Sequence, residues 1–132
     1  LHELAGKVAA RTSPFRIQLR DFGAFPQLAR PRVLFYGMSE GAGQLARLAS
    51  ELDRRCEELG LPPERKPFHA HLTLARVKKM PPPDVLERLA NFPPLPGSSA
   101  TLVESLHLYR SHLGPGGARY EKVASFGLPR TE

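Results

Sequence analysis

Phe68-His-Ala-His-Leu-Thr-Leu-Ala-Arg76 is the stretch on which the reading of this chain turns. Residues 68–77 are rich in β-formers and hold neither glycine nor proline, which favours a buried strand over a loop. Side chains alternate along a strand, so His69, His71 and Thr73 are expected on one face and Leu72 and Leu74 on the other. An imidazole with an ordinary pKa near ~6.5 gives or takes a proton at neutral pH. A hydroxyl two positions on can hydrogen-bond an oxyanion, and the pair suits phosphoryl chemistry.

Outward from that stretch, the remaining segments predict an α+β fold of antiparallel sheets covered by helices. Leu1, Leu4, Ala5, Val8 and Ala9 form a helical stripe, and no Ser, Thr, Asp or Asn cap precedes it. The pattern reads as a helix entered midway, with upstream sequence expected. After Thr12-Ser-Pro14, residues 15–20 alternate as a half-exposed strand, Phe22-Gly-Ala-Phe-Pro26 reads as a turn or strand end, and residues 32–36 form a second strand ending at Gly37. Apolar spacing predicts the longest helix over 42–59, closed by Gly60 and Pro62-Pro63 and covering a sheet. The triple proline 81–83 precedes a short helix from Asp84 to about Ala90, and residues 91–99 read as loop. Two strands, 101–110 and 119–126, close the chain as a hairpin through Gly114-Pro-Gly-Gly117. Without a following GK[ST] and helix, that glycine run is a turn and not a phosphate cradle.

Composition narrows the function classes. The 132 residues, 41% hydrophobic, suffice for one core, in one domain or two small lobes. A formal charge of +6, from 19 Lys and Arg against 13 Asp and Glu, raises nucleic acid and phosphorylated substrates as partners. Cys56 is the only cysteine, so an intrachain disulfide and a thiolate metal cluster are both excluded, and a reducing cytoplasm fits. Its place among Leu45, Leu48, Leu52 and Leu59 at helical spacing makes it a packing residue. No apolar run is long enough to span a membrane, so no membrane partner is expected.

H-x-[ST]-x by itself is weak, but four features occur in order: Phe22-Gly-Ala-Phe-Pro26; Pro31-Arg-Val-Leu34; His71-Leu-Thr-Leu-Ala-Arg76; and Leu108-Tyr-Arg-Ser111 with Leu113-Gly-Pro-Gly-Gly117 and Tyr120. With this set the chain resembles the 2H phosphoesterase superfamily, and within it the RNA 2′,3′-cyclic phosphodiesterases, also called 2′-5′ RNA ligases. The resemblance implies two lobes around a cleft, each bringing one H-x-[ST]-x strand. Only the second motif, His71 and Thr73, is found, so the chain is expected to be a single 2H phosphoesterase-like domain over 1–132 lacking its N-terminal segment.

The implied reaction opens a terminal 2′,3′-cyclic phosphate to a 2′-phosphate, its reversal giving the 2′-5′ linkage. It needs a base for water and an acid for the departing ribose oxygen on opposite sides of phosphorus, and two histidines meet that need with no metal or other cofactor. By the resemblance His71 is one of that pair, as base or as acid, and Thr73 binds a phosphate oxygen. Arg76 either adds charge near the phosphate or makes a surface salt bridge; alternation puts it opposite His71 unless the strand twists or bulges. Tyr109 and Ser111 lie near the family's cleft, or else are a packed tyrosine and a turn serine. His69 shares the motif face, but two groups on one strand approach phosphorus from the same side, and no further ligands complete a metal site. His2, His107 and His112 read as surface or boundary residues. The implied partners are RNA or oligonucleotide ends bearing a cyclic phosphate, with a monomer expected for the full-length protein. The alternatives are a noncatalytic RNA-binding module, a phosphodiesterase for small cyclic nucleotides, and a site shared across a two-fold axis.

Overall fold

The opening apolar stripe folds as α1 (His2–Ala10), burying Ala5, Val8 and Ala9. The structure is a computed structural model and describes residues 1–97 and 100–130. Leu1 caps α1 without a side-chain hydrogen bond, as its sequence implies. At the other end Thr12 Oγ1 donates to the Val8 carbonyl at 2.8 Å, taking up an orphaned acceptor.

Strand β1 (Phe15–Gln27) is far longer than the expected 15–20, because Phe22-Gly-Ala-Phe-Pro26 continues the strand instead of turning. Its hairpin partner β2 (Arg30–Glu40) likewise runs through Gly37. The ladder accommodates this length with irregularities between Gln18 and Phe22 and again between Phe25 and Pro26. Helix α2 (Ala42–Glu58) matches the expected helix, with Gly41 before it at φ +86°. None of its residues is fully buried; Leu45, Leu48, Leu52 and Cys56 are half-buried, so the expected covering role is only partial.

Strand β3 (His71–Arg76) starts three residues later than the stretch quoted above, with Phe68 to Ala70 outside it. It is exposed along its whole length, Leu72 at 49% and Leu74 at 46%, which corrects the expectation of a buried strand. The cause is topological. In the sheet order β3-β2-β1-β4, β3 is outermost among the described residues and pairs on one side only.

Helix α3 (Pro83–Ala90) uses the last residue of the proline run as its first, where a missing N–H costs nothing. Ser98 and Ser99 of the expected loop lie outside the described residues. The single strand expected over 101–110 is two elements, β4 (Ala100–Val103) in the four-stranded sheet and β5 (Ser105–Gly114) in a separate hairpin with β6 (Gly117–Gly127). Glu104 marks the change, its carbonyl accepting from Leu128 N at 2.8 Å.

By its contacts the chain forms two compact units. One contains residues 1–15, 46–68 and the chain from Leu102 onward, and in it α1 packs on the β5–β6 hairpin. A Cβ on Gly6 would approach the Phe126 ring to 3.3 Å, so helix and hairpin are close enough to exclude water. The other contains Arg16–Leu45 and His69–Thr101, with the β3-β2-β1 ladder and α3. There, Phe22, Tyr36 and Phe92 form an aromatic cluster, and Tyr36 Oη donates to the Pro93 carbonyl at 3.3 Å. That cluster lies on the face of the ladder opposite the motif residues.

Candidate active site

The register between β2 and β3 determines which side chains stand together. Tyr36 pairs with Leu72 and Gly37 with His71, Phe35 with Thr73, Leu34 with Ala75 and Val33 with Arg76. Leu74 is therefore the extra residue of a β-bulge. Directly paired residues point to the same side, and on β2 residues 33, 35 and 37 share a face by alternation. It follows that His71, Thr73 and Arg76 all emerge on one face, Arg76 being carried there by the bulge. Simple alternation would have put it on the other.

The same face of β1 carries Gly23 opposite Phe35 and Phe25 opposite Val33. Glycine at 23 is required by packing: a Cβ there would lie 2.8 Å from the Phe35 ring. Phe35 lies over Gly23 and stacks on Phe25, with centroids 4.3 Å apart and planes 23° from parallel. His71 presents an edge-to-face geometry to both rings, at 5.1 Å from Phe25 and 5.5 Å from Phe35. His69 does the same at 5.0 and 5.5 Å. Sequence reasoning assigned no role to Phe25 and Phe35, although Phe25 lies inside one of the ordered motifs and its period-two relation to Gly23 was the available signal.

A second contact orients the His71 ring. Its Nδ1 is hydrogen-bonded to the main-chain carbonyl oxygen of His69, and a carbonyl only accepts, so Nδ1 carries the proton. The neutral ring then presents the Nε2 lone pair, and the protonated ring presents Nε2–H at the same place. Either state serves proton transfer at one fixed atom.

Thr73 and Arg76 are exposed, and among the described residues the Thr73 hydroxyl has no hydrogen bond and the Arg76 guanidinium no ion pair. The salt-bridge alternative for Arg76 is thus unsupported. Tyr109 and Ser111 lie on β5 in the other compact unit, two apart and on one face of the hairpin. Tyr109 is 49% exposed and is not a packed core residue. Ser111 is on a strand opposite Tyr120 and not in a turn.

The other histidines have local partners. His112 Nε2 is 3.0 Å from Glu121 Oε1 across the hairpin, and His107 Nε2 is 3.1 Å from Ser105 Oγ. The His2 ring meets Phe126 edge to face at 5.0 Å. Among the described residues no three His, Cys, Asp or Glu side chains come together as a metal-ligand group. No helix is long and apolar enough to cross a membrane.

A fold with the H-x-[ST]-x strand set against an aromatic face places the chain among two-histidine phosphoesterase architectures, and the comparisons give the family. The sequence pattern of the 2'-5' RNA ligase superfamily matches residues 1–115, and the chain belongs to that family. It is 46% identical over 77 residues to an RNA 2',3'-cyclic phosphodiesterase of Aeropyrum pernix, covering 58% of this chain and 44% of that protein. To the RNA 2',3'-cyclic phosphodiesterase of Thermus thermophilus it is 38% identical, covering 95% of this chain and 61% of that one. A crystal structure of a Thermus thermophilus protein superimposes with a TM-score of 0.77 at 34% identity, over 99% of this chain and 69% of that chain. Escherichia coli LigT complexed with 3'-AMP gives 0.69 at 25% identity, over 98% and 69%. The chain thus spans about half the length of the curated relatives it matches.

Proposed function

We propose that the protein is an RNA 2′,3′-cyclic phosphodiesterase, opening a terminal cyclic phosphate to a 2′-phosphate, with 2′-5′ ligation when an RNA 5′-hydroxyl takes the place of water. The observation that carries this reading is the single face bearing His71, Thr73 and Arg76, with Nδ1 of His71 tied to a main-chain carbonyl. The names of the relatives support it.

In this reading Nε2 of His71 is one of the two proton-transfer atoms. It either withdraws a proton from the attacking water or donates one to the leaving 3′-oxygen of the ribose. The Thr73 hydroxyl donates to a non-bridging phosphate oxygen, and Arg76 offsets the charge that builds on the equatorial oxygens. In-line displacement requires the second proton-transfer group on the far side of phosphorus, which excludes His69 because it stands beside His71 with ring centroids 6.0 Å apart. That group belongs to the first H-x-[ST]-x motif called for by the family pattern. Tyr109 and Ser111, which the family resemblance implies as substrate-binding residues, are exposed side by side on one face of β5. The chain's lone cysteine fits a cytoplasmic enzyme.

The test is hydrolysis of 2′,3′-cyclic nucleotides by the intact protein, with products separated as 2′- and 3′-monophosphates. A 2′-phosphate formed by the parent and lost in His71→Ala is the expected result. Undiminished turnover in that variant, or a 3′-phosphate product, overturns the assignment.

A further inference from the structure

A second feature lies at the end of the ladder where Arg76 stands. The β1–β2 turn and the chain leaving β3 enclose a groove of about 860 Å3 whose lining includes Arg30, Pro31, Arg32, Lys78, Lys79 and Met80. It contains four cations and no carboxylate. All four cations are exposed, and among the described residues none of them makes an ion pair. A cluster of like charges left uncompensated is unfavourable unless an anion from outside completes it.

The cluster is built by the fold. Arg30 and Arg32 flank buried Pro31 on β2, and both line the groove. Val77 N donates to the Arg32 carbonyl at 2.8 Å, so the chain beyond β3 stays paired with β2 and brings Lys78 and Lys79 to the same end. At ~3.3 Å per residue these lysines stand within roughly 25 Å of His71, a distance spanned by a few nucleotides. Arg76 lies on the path between.

Guanidinium and ammonium groups without acidic neighbours suit phosphodiesters, and exposed Met80 offers apolar surface to ribose and base. We propose that this groove holds the sugar–phosphate backbone of single-stranded RNA upstream of the reacting terminus, making the protein selective for oligonucleotides over mononucleotides. The inference rests on the phosphodiesterase reading above for its polarity, and on the groove alone for its ligand.

The test compares the intact parent protein with Arg30→Ser/Arg32→Ser/Lys78→Ser/Lys79→Ser, and with Lys78→Glu/Lys79→Glu should the fourfold variant fold poorly. Binding of a fluorescent 12-nucleotide RNA ending in a plain 3′-hydroxyl is followed by anisotropy across a salt series. Hydrolysis of a 2′,3′-cyclic mononucleotide and of a 12-mer ending in the cyclic phosphate is measured alongside. The expected result is at least ~10-fold weaker binding, with the salt slope of the fourfold variant reduced by about 3 at roughly 0.7 per lost phosphate contact. In kcat/KM the 12-mer loses a similar factor while the mononucleotide is unchanged. Unchanged affinity and slope overturn the groove assignment, as does an equal loss on both cyclic substrates. Failure of the parent to open either cyclic phosphate instead removes the phosphodiesterase reading, and the binding series still decides the groove.

Discussion

Nδ1 of His71 is held by the main-chain carbonyl of His69, so a backbone atom, and not the neighbouring imidazole, orients the ring. Replacing His69 with alanine keeps that carbonyl and removes only edge-to-face ring contacts, with Phe25, Phe35 and His71. In steady-state hydrolysis of a cyclic nucleotide, His71→Ala is expected to lower kcat by about 10³-fold and His69→Ala by less than about 10-fold, a proton-transfer group being worth roughly 10²–10⁴. Equal losses in the two variants would show that His69 takes part in the chemistry.

Arg76 reaches the His71 face only through the bulge at Leu74. Deleting Leu74 removes the extra residue, so that Ala75 follows Thr73 directly and Arg76 stays opposite Val33, on the His71 face, in a regular ladder. Arg76→Ala is then expected to reduce kcat by about 10²-fold, the order found when one donor to a developing oxyanion is removed, while the deletion keeps most of the activity. Arg76→Lys should recover part of the loss, since the point charge remains but the planar fork does not. Parental turnover by Arg76→Ala would dissociate Arg76 from the reaction.

Much of this arrangement was legible in the sequence, and the parts that were not share a cause. The α1 stripe, the α2 span, the hairpin at Gly114 and the face shared by His71 and Thr73 all follow from local periodicity, which packing left intact. The lengths of β1 and β2 did not, because Phe22-Gly-Ala-Phe-Pro26 carries turn-forming residues that the sheet uses at an irregular ladder. Gly23 is there to admit the Phe35 ring, a reason invisible until strands are paired. The same holds for Arg76, whose face depends on a register shift between two strands separated in sequence by the whole of α2. The split at Glu104 was hidden because Glu104-Ser105 fits the polar positions of one continuous strand, and nothing local says that a strand changes sheets. The basic groove joins residues 30 and 32 with 78 and 79, a cluster that total charge alone does not reveal.

Gly23 gives the aromatic face a direct test. A methyl group at this position meets the Phe35 ring at 2.8 Å, forcing the ring off Phe25 and away from His71. Overpacking of this sort costs about 1–3 kcal/mol, so Gly23→Ala should lower the urea midpoint without changing the slope. It should also reduce cyclic phosphodiesterase activity in conditions where the variant remains folded. Parental stability would mean that Phe35 has space to move and does not fix the imidazole.

On α2, Glu51 accepts hydrogen bonds from Arg54 at 2.8 Å and Arg55 at 3.0 Å. Those bonds, Arg54 first and Arg55 next, hold its carboxyl below the ordinary value of 4.5, against a smaller opposing effect of desolvation. With the folded pKa lowered, the unfolded chain binds more protons in this window, so stability rises with pH there. The contribution is present above pH 4.5 and is lost as the pH falls through the lower folded value. Glu51→Gln should flatten that acid limb in urea titrations from about pH 2 to 6, by a small amount because the groups face solvent. An unaltered acid limb would assign it to other carboxylates.

Gly41 and Gly60 separate backbone strain from steric exclusion, because both adopt a left-handed conformation, at φ +86° and +88°. Around Gly60 nothing lies within 4 Å of the place a Cβ would occupy, so Gly60→Ala meets only the conformational cost of about 1–2 kcal/mol. At Gly41 the same Cβ would run into the Arg16 carbonyl oxygen and the Ile17 side chain, atoms of the strand that leads into the β1–β2 hairpin. Relief requires β1 and the start of α2 to move apart, in a residue that is itself buried. Gly41→Ala is therefore expected to cost at least about 2 kcal/mol more than Gly60→Ala, the excess being of the size found for overpacked cores. Paired urea titrations of the two variants measure the difference directly. Equal costs would mean that the Gly41 turn yields without disturbing β1, and that the close approach of its backbone to Arg16 contributes nothing to holding the hairpin in place.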